Sequence, residues 1–294
     1  MEHFIQQIVN GISLGSIYAL MALGYTMVYG IIKLINFAHG EIYMVGAYIG
    51  YALTTFFNFG FFPALILSMI LTSLLGVVIE KVAYKPMRNS TRIAALITAI
   101  AVSMFLQYGM MYFVTPQTRS YPNILPDIQV SLFGTNAVVD IRNIYILTVT
   151  IVLMLLLQYV IHKTKTGKAM RAVALDGDAS QLMGIDMNKT ISYTFAIGSA
   201  LAGAAGVLVG IYYNTINPLM GAVPGLKAFI AAVIGGIGVI PGAVFGGFFL
   251  GVTETVVSAL GGSLYKDAVA FAILILVLLI KPNGIFGSNQ REKV

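Results

Sequence analysis

The stretch INFAHGEIYMVGAYIG at 35–50 sets His39 and Glu41 two residues apart inside an otherwise apolar run. In a soluble enzyme such a pair suits proton transfer. In lipid it needs another reason, because intramembrane charge is costly. Composition decides between the two settings. Of 294 residues, 58% are hydrophobic and only 10% charged, against about 25% charged in a typical soluble domain. Several apolar runs approach or exceed the roughly 20 residues that cross a bilayer. A membrane barrel would need alternating segments of about 10 residues, and that pattern is absent. The fold class is therefore all-α, a polytopic integral membrane protein.

Apolar segments fall near 8–30, 40–57, 61–80, 93–114, 143–161, 191–213, 225–238, 242–260 and 267–281. They make eight or nine elements, about eight of them transmembrane helices, in a single transmembrane domain over 1–294. The segment 225–238 is short, and VIPGAVFGG at 239–247 breaks the helix beside it. Pro241 lacks an amide proton and its ring disfavours a continuous helix. The region 225–247 thus reads as two spans, or as one broken or re-entrant element. The N-terminal run continues from Ile12 through Gly30 without a basic opening region, so a first membrane helix is expected rather than a cleavable signal.

The chain has no cysteine, so disulfides and thiolate metal sites are excluded. His3, His39 and His162 are far apart and show no metal spacing. The 16 tyrosines and 17 phenylalanines serve the interfaces, where tryptophan is missing. No nucleic-acid face is read, because the basic residues sit in short gaps between apolar segments. Lys81, Lys85, Arg88 and Arg92 occupy one gap; Lys163, Lys165, Lys168, Arg171 and Lys189 another; Lys281, Arg291 and Lys293 close the chain. The positive-inside rule puts these regions in the cytoplasm and the proline-containing 115–142 outside. If 225–238 and 242–260 both cross, the N-terminus lies outside and the C-terminus inside.

Residues 162–190 form the most informative polar loop. Good helix formers run over 169–175 and again over 178–183, separated by Gly177. Asp176 or Asp178 is placed to cap the second helix. Ala172, Leu175, Leu182 and Met183 offer apolar contacts. Such an element suits a partner protein; the competing reading is an amphipathic helix on lipid, against which Asp176, Asp178 and Asp186 argue. Proline at Gly177 is expected to distort the loop. No phosphate loop is present: TKTGKA at 164–169 lacks the upstream glycine and continues with Ala169.

His39 and Glu41 would face different ways on one helix, so a catalytic dyad is not read. HGE also fails the HExxH metal pattern. Asn36 suits a cap or turn, and Glu41 the first turn of the next helix. Helix organisation, a place on the translocation path and a proton relay stay open for this cluster. Glu80 and Glu254 are the other acids at or within spans, Glu254 the deeper. Small residues repeat at four-residue spacing: Gly11 and Gly15, Gly46 and Gly50, Gly206 and Gly210, Gly242 and Gly246, Gly247 and Gly251. That spacing lets helix backbones approach. LGVVIE at 75–80 faintly echoes LGVTE at 250–254, a hint of internal repetition.

INFAHGEIYMVGAY at 35–48, ALDGDASQLMGID at 174–186 and KPNGIFG at 281–287, in that order, resemble the branched-chain amino acid ABC-transporter permease family over nearly the whole chain. Within that family the chain is similar to the shorter of the two membrane subunits. The resemblance implies a permease in the bacterial inner membrane, importing leucine, isoleucine and valine. It implies a second related permease, two cytoplasmic ABC ATPases that carry ATP and magnesium, and an external substrate-binding protein. This chain then has no cofactor and no catalytic residue. The family's coupling loop falls on Arg171, Leu175, Asp176, Gly177, Asp178, Met183 and Gly184. Polarity in or beside spans makes Asn36, His39, Glu41 and Tyr43 path candidates, with Asn214, Asn217 and Glu254 behind them. Permeases for urea, short amides or other amino acids resemble the family in the same regions. An ion-coupled carrier, or a membrane scaffold without transport, is the reading from another class.

Overall fold

The computed structural model describes residues 2–88, 90–126, 128–131 and 138–287. Every apolar segment forms helix. In order these are α1 (Glu2–Ile32), α2 (His39–Thr55), α3 (Phe61–Ile79), a π-helical turn at Glu80–Tyr84, α4 (Lys85–Met87) and α5 (Arg92–Val114). Next come α6 (Ile141–Lys163), α7 (Lys165–Leu175), α8 (Gly177–Leu182), α9 (Met187–Tyr213), α10 (Ala222–Gly235), α11 (Ile240–Val257) and α12 (Lys266–Ile280). Two small antiparallel ribbons complete the described residues. β1 (Arg119–Ser120) pairs with β4 (Thr215–Ile216), and β2 (Gln129–Ser131) with β3 (Val138–Asp140).

Six described helical stretches are long and apolar enough to cross a membrane. The last, Ile240–Ile280, is broken at Gly261, whose φ of 84° separates α11 from α12. The 17 residues of α2 and 14 of α10 fall short of a full span. At 1.5 Å per residue α10 reaches only about 21 Å, against a hydrocarbon core of about 30 Å.

Helices α1 and α9 form the centre. Their apolar windows are 78% and 83% buried, whereas that of α5 is 11% buried. They run antiparallel: Gly24 lies against Gly198, and the Tyr212 hydroxyl donates to the Asn10 carbonyl at 3.3 Å. α11 crosses α1 antiparallel, with Gly247 against Ala19 and Gly251 against Gly15. α2 lies along α9, with Gly46 against Gly203 and Gly206 against the Tyr43 carbonyl. α10 meets α11 through Gly235, Gly242 and Gly246. At eight of the ten glycines in four-residue spacing a β-carbon would strike the backbone of another helix, while at Gly50 and Gly210 it would meet the Tyr121 side chain. Lipid supplies no hydrophobic drive between helices, so close packing has to do it.

α3 lies on α9 and α11 on α1, while α2 and α10 meet start to start where Gly40 abuts Gly221 and Gly225. The two echoing segments end on Glu80 and Glu254, both buried. Each acid is held by a cation, Glu80 by Arg88 and Glu254 by Lys227.

The expected break at 225–247 lies at 236–239. Gly236 (φ 106°) and Gly238 (φ 92°) turn the chain in conformations that favour glycine, and Pro241 sits in the first turn of α11. The closing KPNGIFG has a local task. The amides of Ile285 and Phe286 donate to the carbonyls of Ile234 and Gly235 at 2.9 and 3.1 Å. These carbonyls end α10 and have no partner within it. Arg291 and Lys293 lie outside the described residues.

Candidate functional site

The turn 33–38 returns the chain from the end of α1 to a level beside Gly24, where α2 begins. The carbonyl of Asn36 accepts from the His39 amide at 3.1 Å, and Ala38 is the residue that precedes the helix. The Asn36 side chain does not cap α2. Its Oδ1 accepts from the Tyr84 hydroxyl at 2.8 Å, because the π-turn swings Tyr84 into the core. His39 is buried, its ring 4.6 Å from that of Tyr25 and pressed against Gly24. Tyr43 is packed among the core residues along α9. Glu41 sits in the first turn of α2, as its spacing predicts, but makes no cap bond.

His39 and Glu41 diverge. His39 faces α1, while Glu41 borders a cleft of 210 Å³ between α2, α5 and α10. Tyr25, Phe37, Ile100, Ser103 and Leu226 share its lining. Glu41 is 1% exposed, and its Oε2 has no hydrogen-bond partner among the described residues. Gly221 leans against that carboxylate, since a β-carbon there would meet it.

Glu254 has a different setting. Its Oε1 lies 2.8 Å from the Lys227 ammonium, and its Oε2 accepts from the Tyr18 hydroxyl at 3.1 Å. Lys227 also pairs with Asp267 at 2.7 Å and lies 6.0 Å from the centre of the Tyr18 ring. One cation thus ties α1, α10, α11 and α12 together. Lys227, Tyr18 and Asp267 were missed in sequence. The signal was present: Lys227 is the single charged residue of α10, and an ionisable residue in a span needs a named partner. Tyr84 and Arg88 were missed as partners for the same reason, since helix spacing does not reveal contacts between distant segments.

At the end holding α9's last turn, a polar cavity of 530 Å³ is lined by Gln6, Asn10, Asp140, Arg142, Tyr212 and Asn214. Asn214 adopts a left-handed conformation and accepts from Arg142 at 3.2 Å. Asp140 caps α6 by accepting from the Arg142 amide at 3.0 Å. Burial opposes its charge, but the Arg142 side chain and amide outweigh this and hold the carboxyl below its ordinary range. Asn217 accepts from the Leu219 amide in a turn.

The opposite end carries the loop 162–190. Thr164 caps α7 and Asp176 caps α8, the latter accepting from the Ala179 amide at 2.9 Å. Met170 and Val173 of α7 face the bundle, while Leu175, Leu182 and Met183 are 79%, 89% and 84% exposed. Arg171, Asp176, Asp178 and Gly184 of the same loop are exposed as well. The amide of Lys189, with its ammonium, holds Asp186 below the ordinary carboxylate range. Gly177 opens α8, with Asp176 extended before it. Backbone geometry tolerates proline at that first helical residue, and a β-carbon there would meet the end of the Met187 side chain. Arg171 and Leu175 border a cleft of 550 Å³ shared with Lys33, Gly238 and Val239, next to the break between α10 and α11. Among the described residues, no group of three His, Cys, Asp or Glu side chains is placed to hold a metal.

The family described as "Branched-chain amino acid transport system / permease component" matches residues 7–278. The high-affinity branched-chain amino acid transport system permease protein BraD of Pseudomonas aeruginosa is 47% identical, over 99% of this chain and 98% of its own. The LivH permease protein of Escherichia coli K12 is 44% identical over the same shares. A probable LivH of Methanocaldococcus jannaschii is 30% identical over 94% of this chain and 90% of its own.

Proposed function

The chain belongs to the branched-chain amino acid transport permease family, and from that premise we propose how its parts share the work of import. It is a multi-pass inner-membrane permease subunit for branched-chain amino acids, and the observation that carries this is identity of 44–47% along the full chain with BraD and LivH. Its task is transport. ATP and magnesium belong to two cytoplasmic ATPases, a second related permease completes the path, and an external binding protein delivers leucine, isoleucine or valine.

The exposed apolar tip of Leu175, Leu182 and Met183 supports an ATPase contact. Closure of the ATPase pair would push α7, whose Arg171 and Leu175 share a cleft with the α10–α11 break. That contact gives the push a short route to α10, and so to the cleft at Glu41. Outward opening would accept substrate, and hydrolysis would reset the path inward. The basic loop end is the cytoplasmic one on this reading. The ion-coupled alternative loses support at Glu254, whose carboxylate is already held by Lys227 and Tyr18.

The test is uptake of labelled leucine by cells lacking this gene, with and without its restoration. Unlabelled isoleucine, valine and urea are added separately. Restored uptake, blocked by isoleucine and valine but not urea, is the expected result. Failure of rescue with all partners expressed would overturn the assignment.

A further inference from the structure

The cleft at Glu41 has three chemically distinct walls. The first is anionic: Glu41 is 1% exposed, its Oε2 has no hydrogen-bond partner among the described residues, and it borders the space directly. A buried carboxylate with one oxygen unmatched and no cation beside it is expensive at membrane depth, and a cation there removes that cost. The second wall is the start of α10. The amides of its first turn have no acceptor inside the helix. Pro224 has no amide proton and Gly225 donates to Gly221 at 2.9 Å, which leaves Ala222 and Val223, and Ala222 lines the cleft. The positive end of a 14-residue helix dipole points there as well. The third wall is apolar, made by Phe37, Ile100 and Leu226 with the Tyr25 ring.

Resting on the permease reading above, we infer that this cleft is an intramembrane binding site for a zwitterionic α-amino acid with an apolar side chain. The Glu41 carboxylate takes the ammonium group. The first amides of α10 take the carboxylate. Ile100 and Leu226 receive the side chain. A volume of 210 Å³ equals about seven waters, which suits one amino acid and not a larger peptide. The short length of α10 is then functional: a full-length span would carry its free amides to the surface and leave none at this depth. Gly40, Gly221 and Gly225 let the two helix starts close to contact, so opposite charges of one small solute are met side by side. The site belongs to this chain, so discrimination does not rest wholly with an external binding protein.

Equilibrium binding to the purified permease–ATPase complex, without the binding protein, tests this. Labelled leucine is displaced by 3-methylbutylamine, which keeps only the cation, or by 4-methylpentanoate, which keeps only the anion. Both are expected to compete with the wild-type complex. Glu41→Gln is expected to weaken competition by the amine about tenfold or more, the equivalent of one lost charge contact, while the acid competes as before. Equal loss of both would make Glu41 a structural residue and overturn the inference. If Glu41→Gln does not assemble, Ser103→Phe narrows the cleft from α5 and is expected to weaken both competitors; wild-type binding in that variant also overturns it. Absence of leucine binding by a complex that still imports leucine would sink this site and leave the permease assignment standing.

Discussion

Glu41 and Glu254 are both buried carboxylates in the apolar interior, and they are used in opposite ways. Glu254 is closed: an ammonium on one oxygen, a hydroxyl on the other, and four helices drawn together through Lys227. Glu41 is open: it borders a cleft with its Oε2 unmatched. The difference teaches that burial alone does not identify a functional acid. Satisfied charge holds a bundle in one arrangement, whereas unsatisfied charge stores an affinity for something not yet there.

The largest expected effect breaks the closed side. Lys227→Ala leaves Glu254 and Asp267 facing each other without their cation, and losing one partner of a buried pair costs about 3–5 kcal/mol. Thermal unfolding of the complex in detergent should show it; an unchanged midpoint would mean the network is slack. Gly251→Leu comes next, because its side chain would strike the backbone of Gly15 and Gly11. Overpacking of this kind costs about 1–3 kcal/mol, read as lower yield of folded protein. Asp176→Ala removes the α8 cap at a cost of about 1 kcal/mol. Faster hydrogen exchange confined to α8 is the expected signature.

The comparison sharpens at Glu41→Gln, which removes no existing ion pair. Its effect on unfolding should stay within about 1 kcal/mol, although leucine transport falls. A destabilisation as large as that of Lys227→Ala would erase the distinction between the two acids. Smallest of all for stability, Leu182→Ser combined with Met183→Ser touches only exposed groups, within about 0.5 kcal/mol. Its expected consequence is ATP turnover that no longer responds to loaded binding protein.

The sequence revealed elements better than meetings. Apolar run length located the helices, and glycine spacing located their crossings, because both are local signals. The break near Pro241 and the Asp176 cap were legible for the same reason. The side chain of Asn36 was expected in a cap or a turn and instead reaches Tyr84, a residue 48 positions away. Lys227 was passed over because its partners lie on three other helices. Glu41 was placed in the correct turn, yet its meaning depends on Ile100, Ser103 and α10, which only folding brings to it.

The clasp of Ile285 and Phe286 on the end of α10 also bears on manufacture. Proteins are built from the N-terminus at about 5–20 residues per second. The half-span at α10 therefore waits, with its last carbonyls unmatched, until synthesis has passed Phe286. A prematurely ended product would carry that unfinished seam in the membrane. A chain cut before Ile285 would leave the carbonyls of Ile234 and Gly235 without these donors.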